Sequence, residues 1–187
     1  YIGYIVISDE IKDDSKVAIC ELNPIVEQTY LLTGDTQNAG EAVANKLGIG
    51  KAYTGLLPVD KVAKLEEIMH HRQSSKSVIF VGDGINDAPV LTRADVGIAM
   101  GALGSDAAIE AADVVIMDDQ LSKIPTAIKI AQKTMAIVKQ NIAFAIGVKI
   151  VFLILGAAGF ITMWGAVFAD VGVTLIAVIN SLRALRV

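Results

Sequence analysis

The pattern of hydrophobic and polar residues changes near residue 124, which divides the chain into two parts. In the first part, short apolar runs alternate with longer segments in which apolar residues recur at helical spacing. This alternation is typical of a parallel sheet whose strands are joined by helices, and we expect helices on both faces of the sheet. The predicted strands lie near 2–7, 29–33, 78–82, 95–99 and 113–117. The predicted helices between them lie near 14–22, 37–47, 60–72, 87–93 and 105–111.

The second part is predicted to form one long helix that begins amphipathic and becomes apolar from Ile142 onward, followed by a second apolar helix. The two apolar stretches, 142–160 and 161–182, each contain one charged residue, Lys149 and Asp170 respectively. Each stretch matches the roughly 20 residues that a helix needs to cross a bilayer. We therefore expect a two-helix transmembrane hairpin that turns near Gly156 and Gly159.

These patterns give a predicted domain organisation of three segments. A globular α/β domain occupies 1–122, a stalk helix 123–140, and two transmembrane helices 141–187, at about 141–158 and 162–182. The chain also starts at Tyr1, inside an apolar run and without an initiator methionine, so we expect it to be cut from a longer protein.

Composition excludes several classes of protein. The chain is 53% hydrophobic and 19% charged, with a net charge of −4, which excludes a disordered chain and a basic nucleic-acid-binding arm. We expect the lipid bilayer, and no nucleic acid, among its partners. The single cysteine, Cys20, excludes an internal disulfide and a four-thiolate zinc site.

Basic residues flank the predicted hairpin on its outer ends. The positions before the first span and after the second are Lys129, Lys133, Lys139, Arg183 and Arg186. By the positive-inside rule, both outer ends and the globular domain are predicted to be cytoplasmic. We expect a multi-pass protein of the plasma (inner) membrane.

The strongest chemical signal is the segment Gly82-Asp83-Gly84-Ile85-Asn86-Asp87-Ala88-Pro89, directly after a predicted strand. Ligands of open parallel sheets bind at the carboxyl ends of strands, and two carboxylates four residues apart there suit Mg²⁺. The glycines permit close backbone approach to an anion, and Asn86 adds an amide. The alternative is an acidic turn that only caps a helix.

A second motif, Thr33-Gly34-Asp35, also follows a predicted strand, and Lys61 lies between the two motifs in the sequence. A hydroxyl and free amides before a helix can bind phosphate, and a lysine can neutralise a transferring phosphoryl group. Taken singly, the triplet could be a simple turn and Lys61 a solvated lysine. Together with Asp83 and Asp87 they favour a site for phosphoryl transfer.

Lys149 and Asp170 are 21 residues apart, so a turn near Gly159 would place them at equal depth as an ion pair. One interpretation is that Asp170 binds a transported cation and Lys149 is its counter-ion when the site is empty. The alternatives are a static ion pair between helices and a lysine that snorkels to the interface.

Thr33-Gly34-Asp35, Lys61 and the 82–89 segment resemble, in this order, motifs two to four of the haloacid-dehalogenase superfamily in its P-type ATPase form. The resemblance implies that Asp83 binds magnesium, that Asp87 organises the site, and that Lys61 and Thr33 hold the phosphoryl group. Asp35 and Asn86 would line the site. Asp9 and Lys12 are similar to an Asp-x-x-Arg hinge that meets the nucleotide, with lysine in place of the usual arginine.

The segment 163–172 and the preceding Lys149 are similar to the last two helices of P-type ATPases that export zinc, cadmium and lead. The chain is thus expected to be the C-terminal part of an ATP-driven exporter of divalent heavy-metal ions that uses magnesium and ATP. Its partners would be the metal ion and the remainder of the pump, namely N-terminal membrane helices, an actuator domain and the nucleotide-binding domain that binds most of the ATP.

The Asp-Lys-Thr-Gly-Thr motif that carries the phosphorylated aspartate of that family does not occur in the 187 residues. We therefore expect this chain alone to be catalytically inactive. Two alternatives stay open: a membrane-anchored phosphatase of the same superfamily, and a truncated remnant that binds metal or a partner.

Overall fold

The computed structural model describes residues 2–3, 10–83, 85–101, 106–118, 120–160 and 162–185. Asp9, Gly84, Arg186 and most of the strand predicted near 2–7 lie outside these residues. The chain separates into two compact units, Tyr1–Pro125 and Thr126–Val187. Each unit is considered by itself.

The first unit is an α/β structure with parallel strands, as predicted. Its strands are β1 (Tyr30–Leu32), β2 (Lys51–Tyr53), β3 (Ile79–Gly82), β4 (Val96–Met100) and β5 (Val114–Ile116). Its helices are α1 (Asp13–Leu22), α2 (Gln37–Leu47), α3 (Pro58–His71), α4 (Ala88–Arg93) and α5 (Asp106–Ala111), with a 3₁₀ turn at Ile85–Asp87. Within the described residues, β1 pairs with β2, and β3, β4 and β5 pair in that order.

Strand β2 is absent from the sequence-based prediction. Its three residues, Lys51-Ala52-Tyr53, begin with a lysine and do not form the apolar run that identified the other short strands. It pairs in parallel with β1, with Leu31 opposite Ala52. Strand β2 therefore ends beside the start of the Thr33-Gly34-Asp35 motif, which follows β1. The glycines on either side of β2 could have identified it from the sequence. Gly48 ends α2 with a φ of 74°, and Thr54-Gly55 follows Tyr53.

Helix α4 packs very closely on β4, and this contact positions the residues at the end of β3. A Cβ atom added to Gly97 would lie 2.6 Å from the carbonyl oxygen of Leu91, so only glycine permits this approach. Leu91, Ala99 and Ala108 form a core in which each is 1% exposed. The start of α4 is therefore held firmly against the sheet.

The second unit contains most of α6 (Lys123–Ala157), α7 (Met163–Ser181) and a 3₁₀ turn at Leu182–Leu185. Helix α6 combines the predicted stalk and first span in 35 continuous residues. Its length and composition are sufficient to cross a membrane. Between the helices, Gly159 adopts a φ of 77°, which favours glycine, and Phe160 N–H donates to the carbonyl of Leu155 at 2.9 Å.

Side chains of α6 and α7 contact each other in antiparallel order. Lys149 of α6 meets Asp170 of α7, and Asn141, earlier in α6, meets Asn180, later in α7. The ion pair predicted from the spacing of Lys149 and Asp170 is therefore present.

Candidate functional site

The Thr33-Gly34-Asp35 motif forms a compact turn directly after β1. The Thr33 hydroxyl donates to the Asp35 carboxylate at 2.8 Å and accepts from the Asp35 N–H at 3.1 Å. Gly34 and Asp35 are exposed, and Thr33 is half-buried. This turn presents a hydroxyl and a carboxylate at the end of a strand, where ligands of parallel sheets bind.

The backbone around β2 holds this turn in place. Thr33 N–H donates to the carbonyl of Tyr53 at 2.9 Å, and Leu56 N–H donates to the carbonyl of Thr33 at 3.0 Å. Gly55, with a φ of 64°, donates its N–H to the carbonyl of Asp35 at 2.8 Å. Tyr53 and Gly55 are thus supporting residues that the sequence analysis did not identify.

Lys61 lies in the first turn of α3, close to the end of the same supporting loop. The Asp60 carboxylate accepts from the N–H of Leu57 at 3.1 Å, which caps the start of α3. The Lys61 ammonium donates to Asp87 Oδ1 at 2.8 Å, and the two side chains are 18% and 13% exposed. Lys61 is therefore not a solvated surface lysine but is paired with a carboxylate 26 residues away.

Gly82 provides the space for the Asp87 carboxylate. Gly82 is buried at the end of β3, and an added Cβ atom would lie 2.9 Å from the Cβ and 3.0 Å from the Oδ2 of Asp87. Any larger residue at position 82 would push Asp87 away from its place beside Lys61. The requirement for glycine here is steric and does not depend on an unusual φ.

Asp83 and Asn86 lie on the exposed side of the same segment. Among the residues that the structure describes, neither side chain has a hydrogen-bond or ion-pair partner. The described part of the chain contains no group of three or more His, Cys, Asp or Glu placed to enclose a metal ion. Such a sparse set of oxygens fits Mg²⁺, which is bound in proteins by one or two carboxylates together with waters and substrate phosphates.

Further along α3, Lys64 and Glu67 form a pair at 2.5 Å, and the Lys64 ammonium lies 4.6 Å from the centre of the Tyr53 ring. The hydrogen bond to Glu67 raises the pKa of Lys64, and the same bond lowers the pKa of Glu67. Both groups are solvent-accessible, so the pair adds little to stability.

In the second unit, the Lys149 ammonium lies 3.2 Å from Asp170 Oδ1. The side chains of Lys149 and Asp170 are 69% and 63% exposed, so other molecules or ions can reach both charged groups. The Thr174 hydroxyl donates to the backbone carbonyl of Asp170 at 2.9 Å. The other carboxylate oxygen of Asp170, Oδ2, has no hydrogen-bond or ion-pair partner among the described residues.

The predicted site residues thus form three local groups. The structure brings together Thr33 with Asp35, Lys61 with Asp87 over Gly82, and Lys149 with Asp170. It describes no side-chain hydrogen bond between the Thr33 turn and Asp83, Asn86 or Asp87. Lys12 is exposed and immediately precedes α1, whereas its predicted companion Asp9 lies outside the described residues.

Known proteins match both the first unit and the whole chain. A family model for haloacid dehalogenase-like hydrolases matches residues 1–95. The chain is 59% identical over 187 residues to a cadmium, zinc and cobalt-transporting ATPase of Bacillus subtilis, and 53% identical over 184 residues to a zinc-transporting ATPase of Synechocystis sp.. These alignments include 100% and 98% of this chain but only 27% and 25% of the relatives, so the chain spans about a quarter of their length.

A solved structure gives the same result. The crystal structure of a zinc-transporting PIB-type ATPase in its E2·Pi state superposes with a TM-score of 0.88 at 38% identity, covering 95% of this chain and 28% of that one. Together these comparisons confirm the resemblance inferred from the motifs. The chain belongs to the haloacid dehalogenase-like hydrolase family, and its homologues are P-type ATPases that transport zinc and cadmium.

Proposed function

We propose that this chain is the C-terminal part of a P-type ATPase that exports divalent heavy-metal ions such as zinc, cadmium or lead. The observation that carries the proposal is the Lys149–Asp170 pair, 3.2 Å apart between two apolar helices. A charge placed inside a bilayer costs about 2.5–3.5 kcal/mol on insertion scales, so a pair of charges there needs a functional reason. Transport of a cation supplies that reason.

The first unit would hold the phosphoryl group during turnover. Asp83 and Asp87 would hold magnesium, and the bound ion would neutralise charge on the phosphoryl oxygens. The Lys61 ammonium has three N–H donors and uses one of them for Asp87, which leaves two that can reach phosphoryl oxygens. Asp87 thereby orients Lys61. The Thr33 hydroxyl, which donates to Asp35 in this structure, would turn its hydrogen toward the phosphoryl group when that group is bound.

Gly34, Asp35 and Asn86 would line the same site. Within this proposal, the phosphorylated aspartate belongs to a part of the pump outside these 187 residues, because no Asp-Lys-Thr-Gly-Thr motif occurs in them. ATP would be bound mainly by a separate nucleotide-binding domain, with Asp9 and Lys12 near the nucleotide. This chain would then depend on the remaining membrane helices, the actuator domain and the nucleotide-binding domain for activity.

The second unit would form a transmembrane hairpin. Residues 1–122 would be the phosphorylation domain, 123–140 the stalk, and 141–158 and 162–182 the two spans. The basic residues at the outer ends would keep both ends, and the first unit, in the cytoplasm at the plasma membrane. In the empty site Lys149 would neutralise Asp170, and an arriving divalent cation would compete with Lys149 for the carboxylate.

The comparisons favour this proposal over the alternatives. The relatives described above match the whole chain, including the helices with Lys149 and Asp170, and they are metal-transporting ATPases. A membrane-anchored phosphatase would have no use for a carboxylate in its anchor. A truncated remnant that binds only metal or a partner would not need the paired Lys61 and Asp87.

The proposal is tested with Asp170→Ala in the complete protein, reconstituted in lipid vesicles. We expect loss of ATP hydrolysis stimulated by zinc or cadmium. Inorganic phosphate should still label the protein when magnesium is present and zinc and cadmium are absent, because the phosphoryl site is unchanged. Asp106→Ala, which removes an exposed carboxylate from α5, is the matched control and should retain metal stimulation. Normal stimulation in Asp170→Ala would refute the transport assignment.

A further inference from the structure

Asn141 of α6 makes hydrogen bonds to α7 through both the NH₂ group and the carbonyl oxygen of its side-chain amide. Its NH₂ group donates to the carbonyl of Ala177 at 3.1 Å and to the hydroxyl of Ser181 at 3.0 Å. Its carbonyl oxygen accepts from the NH₂ group of Asn180 at 2.8 Å. One α6 side chain thus contacts three successive points on one face of α7.

The α7 side of this cluster is itself held in place. The Ser181 hydroxyl donates to the carbonyl of Ala177 at 2.8 Å, and Arg183 donates to the side-chain oxygen of Asn180 at 3.0 Å. Asn141 and Asn180 are both half-buried. We call Asn141, Asn180 and Ser181 the asparagine clasp.

The asparagine clasp and the Lys149–Asp170 pair agree on one antiparallel register. Asn141 precedes Lys149 by eight residues, about 12 Å along α6. The α7 partners of Asn141, from Ala177 to Ser181, follow Asp170 by 7 to 11 residues, about 10.5–16.5 Å along α7, a range that includes the distance on α6. A register that satisfies the clasp therefore also brings Lys149 level with Asp170.

A slip of either helix would separate the charged pair. One residue of slip moves a side chain by about 1.5 Å along the axis and about 100° around it. Apolar side chains resist such a slip weakly, because lipid tails are as apolar as they are, whereas hydrogen bonds between helices depend on specific partners. A directional polar cluster such as the asparagine clasp can therefore set the register of α6 against α7.

We infer that Asn141 is a positioning residue that sets the register of α6 against α7 and so places Lys149 opposite Asp170. The role in transport rests on the proposed function, while the role in helix register does not. Asn141 acts through the clasp and does not itself contact the transported ion.

The register is tested by disulfide cross-linking in the complete protein, in a background in which Cys20 and any cysteines outside these 187 residues are replaced by serine. Cysteines are introduced as Ala145→Cys and Val173→Cys, two positions that line the same groove along α6 and α7. Replacing Asn141 with leucine, which has a similar volume and no hydrogen-bonding group, should lower the cross-linking yield by about threefold to tenfold. Asn141→Gln should restore part of the yield, and Asn180→Ala should give a smaller loss.

Gln140→Leu is the matched control, because it removes an exposed amide next to Asn141 that contacts no described residue of α7. The control should leave the yield unchanged. An unchanged yield in Asn141→Leu, or an equal loss in Gln140→Leu, would overturn the inference.

A second readout separates this inference from the proposed function. Asn141→Leu should lower the half-saturating zinc concentration for ATP hydrolysis, because a register slip removes Lys149 as the competitor for Asp170. Labelling by inorganic phosphate, with magnesium but without zinc, should be retained. Absence of zinc-stimulated hydrolysis in the parent protein would refute the proposed function and, with it, the transport role of Asn141. The cross-linking result would still decide whether Asn141 sets the register.

Discussion

The ammonium of Lys61 lies 2.8 Å from the carboxylate of Asp87, joining the start of α3 to the residue that precedes α4. Because both side chains are mostly buried, removing either partner leaves the other without its hydrogen bond in a poorly solvated place. The same contact orients the lysine toward the end of β3, beside Asp83. Stability and the proposed phosphoryl chemistry therefore share one contact.

Lys61→Ala should abolish phosphoenzyme formation from ATP in the complete pump, because the proposed donor to the phosphoryl oxygens is lost and Asp87 is left without its lysine partner. We expect a destabilisation of about 1–3 kcal/mol from the unpaired carboxylate. The measurement is the amount of labelled phosphoenzyme at saturating ATP and metal.

Lys64→Ala is a matched control for Lys61→Ala, since Lys64 lies three residues further along α3 in an exposed pair with Glu67. It should leave phosphoenzyme formation within about twofold of the parent, as expected for an exposed ion pair. Equal losses in the two variants would argue against a specific role for Lys61.

Gly82→Ala should impair the site through sterics alone. The added methyl group would lie 2.9 Å from the Cβ of Asp87, which must move and lengthen its contact with Lys61. Overpacking of this kind costs about 1–3 kcal/mol, and we expect at least a tenfold loss of phosphoenzyme. Gly50→Ala, whose methyl group would meet only the Gln28 amide at 3.8 Å, should be tolerated. Normal phosphoenzyme levels in Gly82→Ala would show that the position of Asp87 is not critical.

Asp83→Asn should remove the exposed carboxylate proposed to bind magnesium while preserving the shape of the side chain. We expect the magnesium concentration needed for phosphoenzyme formation to rise at least tenfold, or the reaction to be lost, because an amide binds Mg²⁺ more weakly than a carboxylate. A magnesium titration of the phosphorylation reaction provides the measurement. An Asn86→Ala variant should show a smaller change, and an unaltered magnesium requirement in Asp83→Asn would contradict the assignment.

Lys149→Ala should separate metal binding from turnover. Without the ammonium 3.2 Å away, Asp170 has no competing partner, so the half-saturating zinc concentration should fall. Turnover should fall as well, because Lys149 is no longer present to replace the departing ion. Both values come from zinc titrations of ATP hydrolysis in vesicles. If neither value changes, the pair is a static contact between helices.

The local pattern of apolar and polar residues was sufficient to predict most of the helices and strands. The parallel strands near 29–33, 78–82, 95–99 and 113–117 were predicted because each is a short apolar run bounded by glycines or polar residues. The long helix from Lys123 was predicted because its apolar residues continue for far longer than a strand does. Strand β2 was missed because Lys51-Ala52-Tyr53 is not an apolar run, and its place beside β1 depends on hydrogen bonds to a distant part of the chain.

The candidate site was predicted as a set of residues but not as a geometry. Spacing within one segment identified Asp83 and Asp87, and the expected length of a hairpin predicted the pairing of Lys149 with Asp170. The pairing of Lys61 with Asp87 connects positions 26 residues apart, and no sequence period predicts it. The close approach at Gly82 and the supporting hydrogen bonds from Tyr53 and Gly55 were likewise absent from the prediction.

The order of residues along the chain is enough to show which chemical groups are available and which helices and strands carry them, because propensity and hydrophobic period act over neighbouring residues. Which of those groups contact each other depends on tertiary packing. The packing of α4 on β4 at Gly97 sets the position of Asp87, and the register of α6 against α7 sets the position of Asp170. Such contacts join residues far apart in the chain, and their distances depend on how whole elements pack.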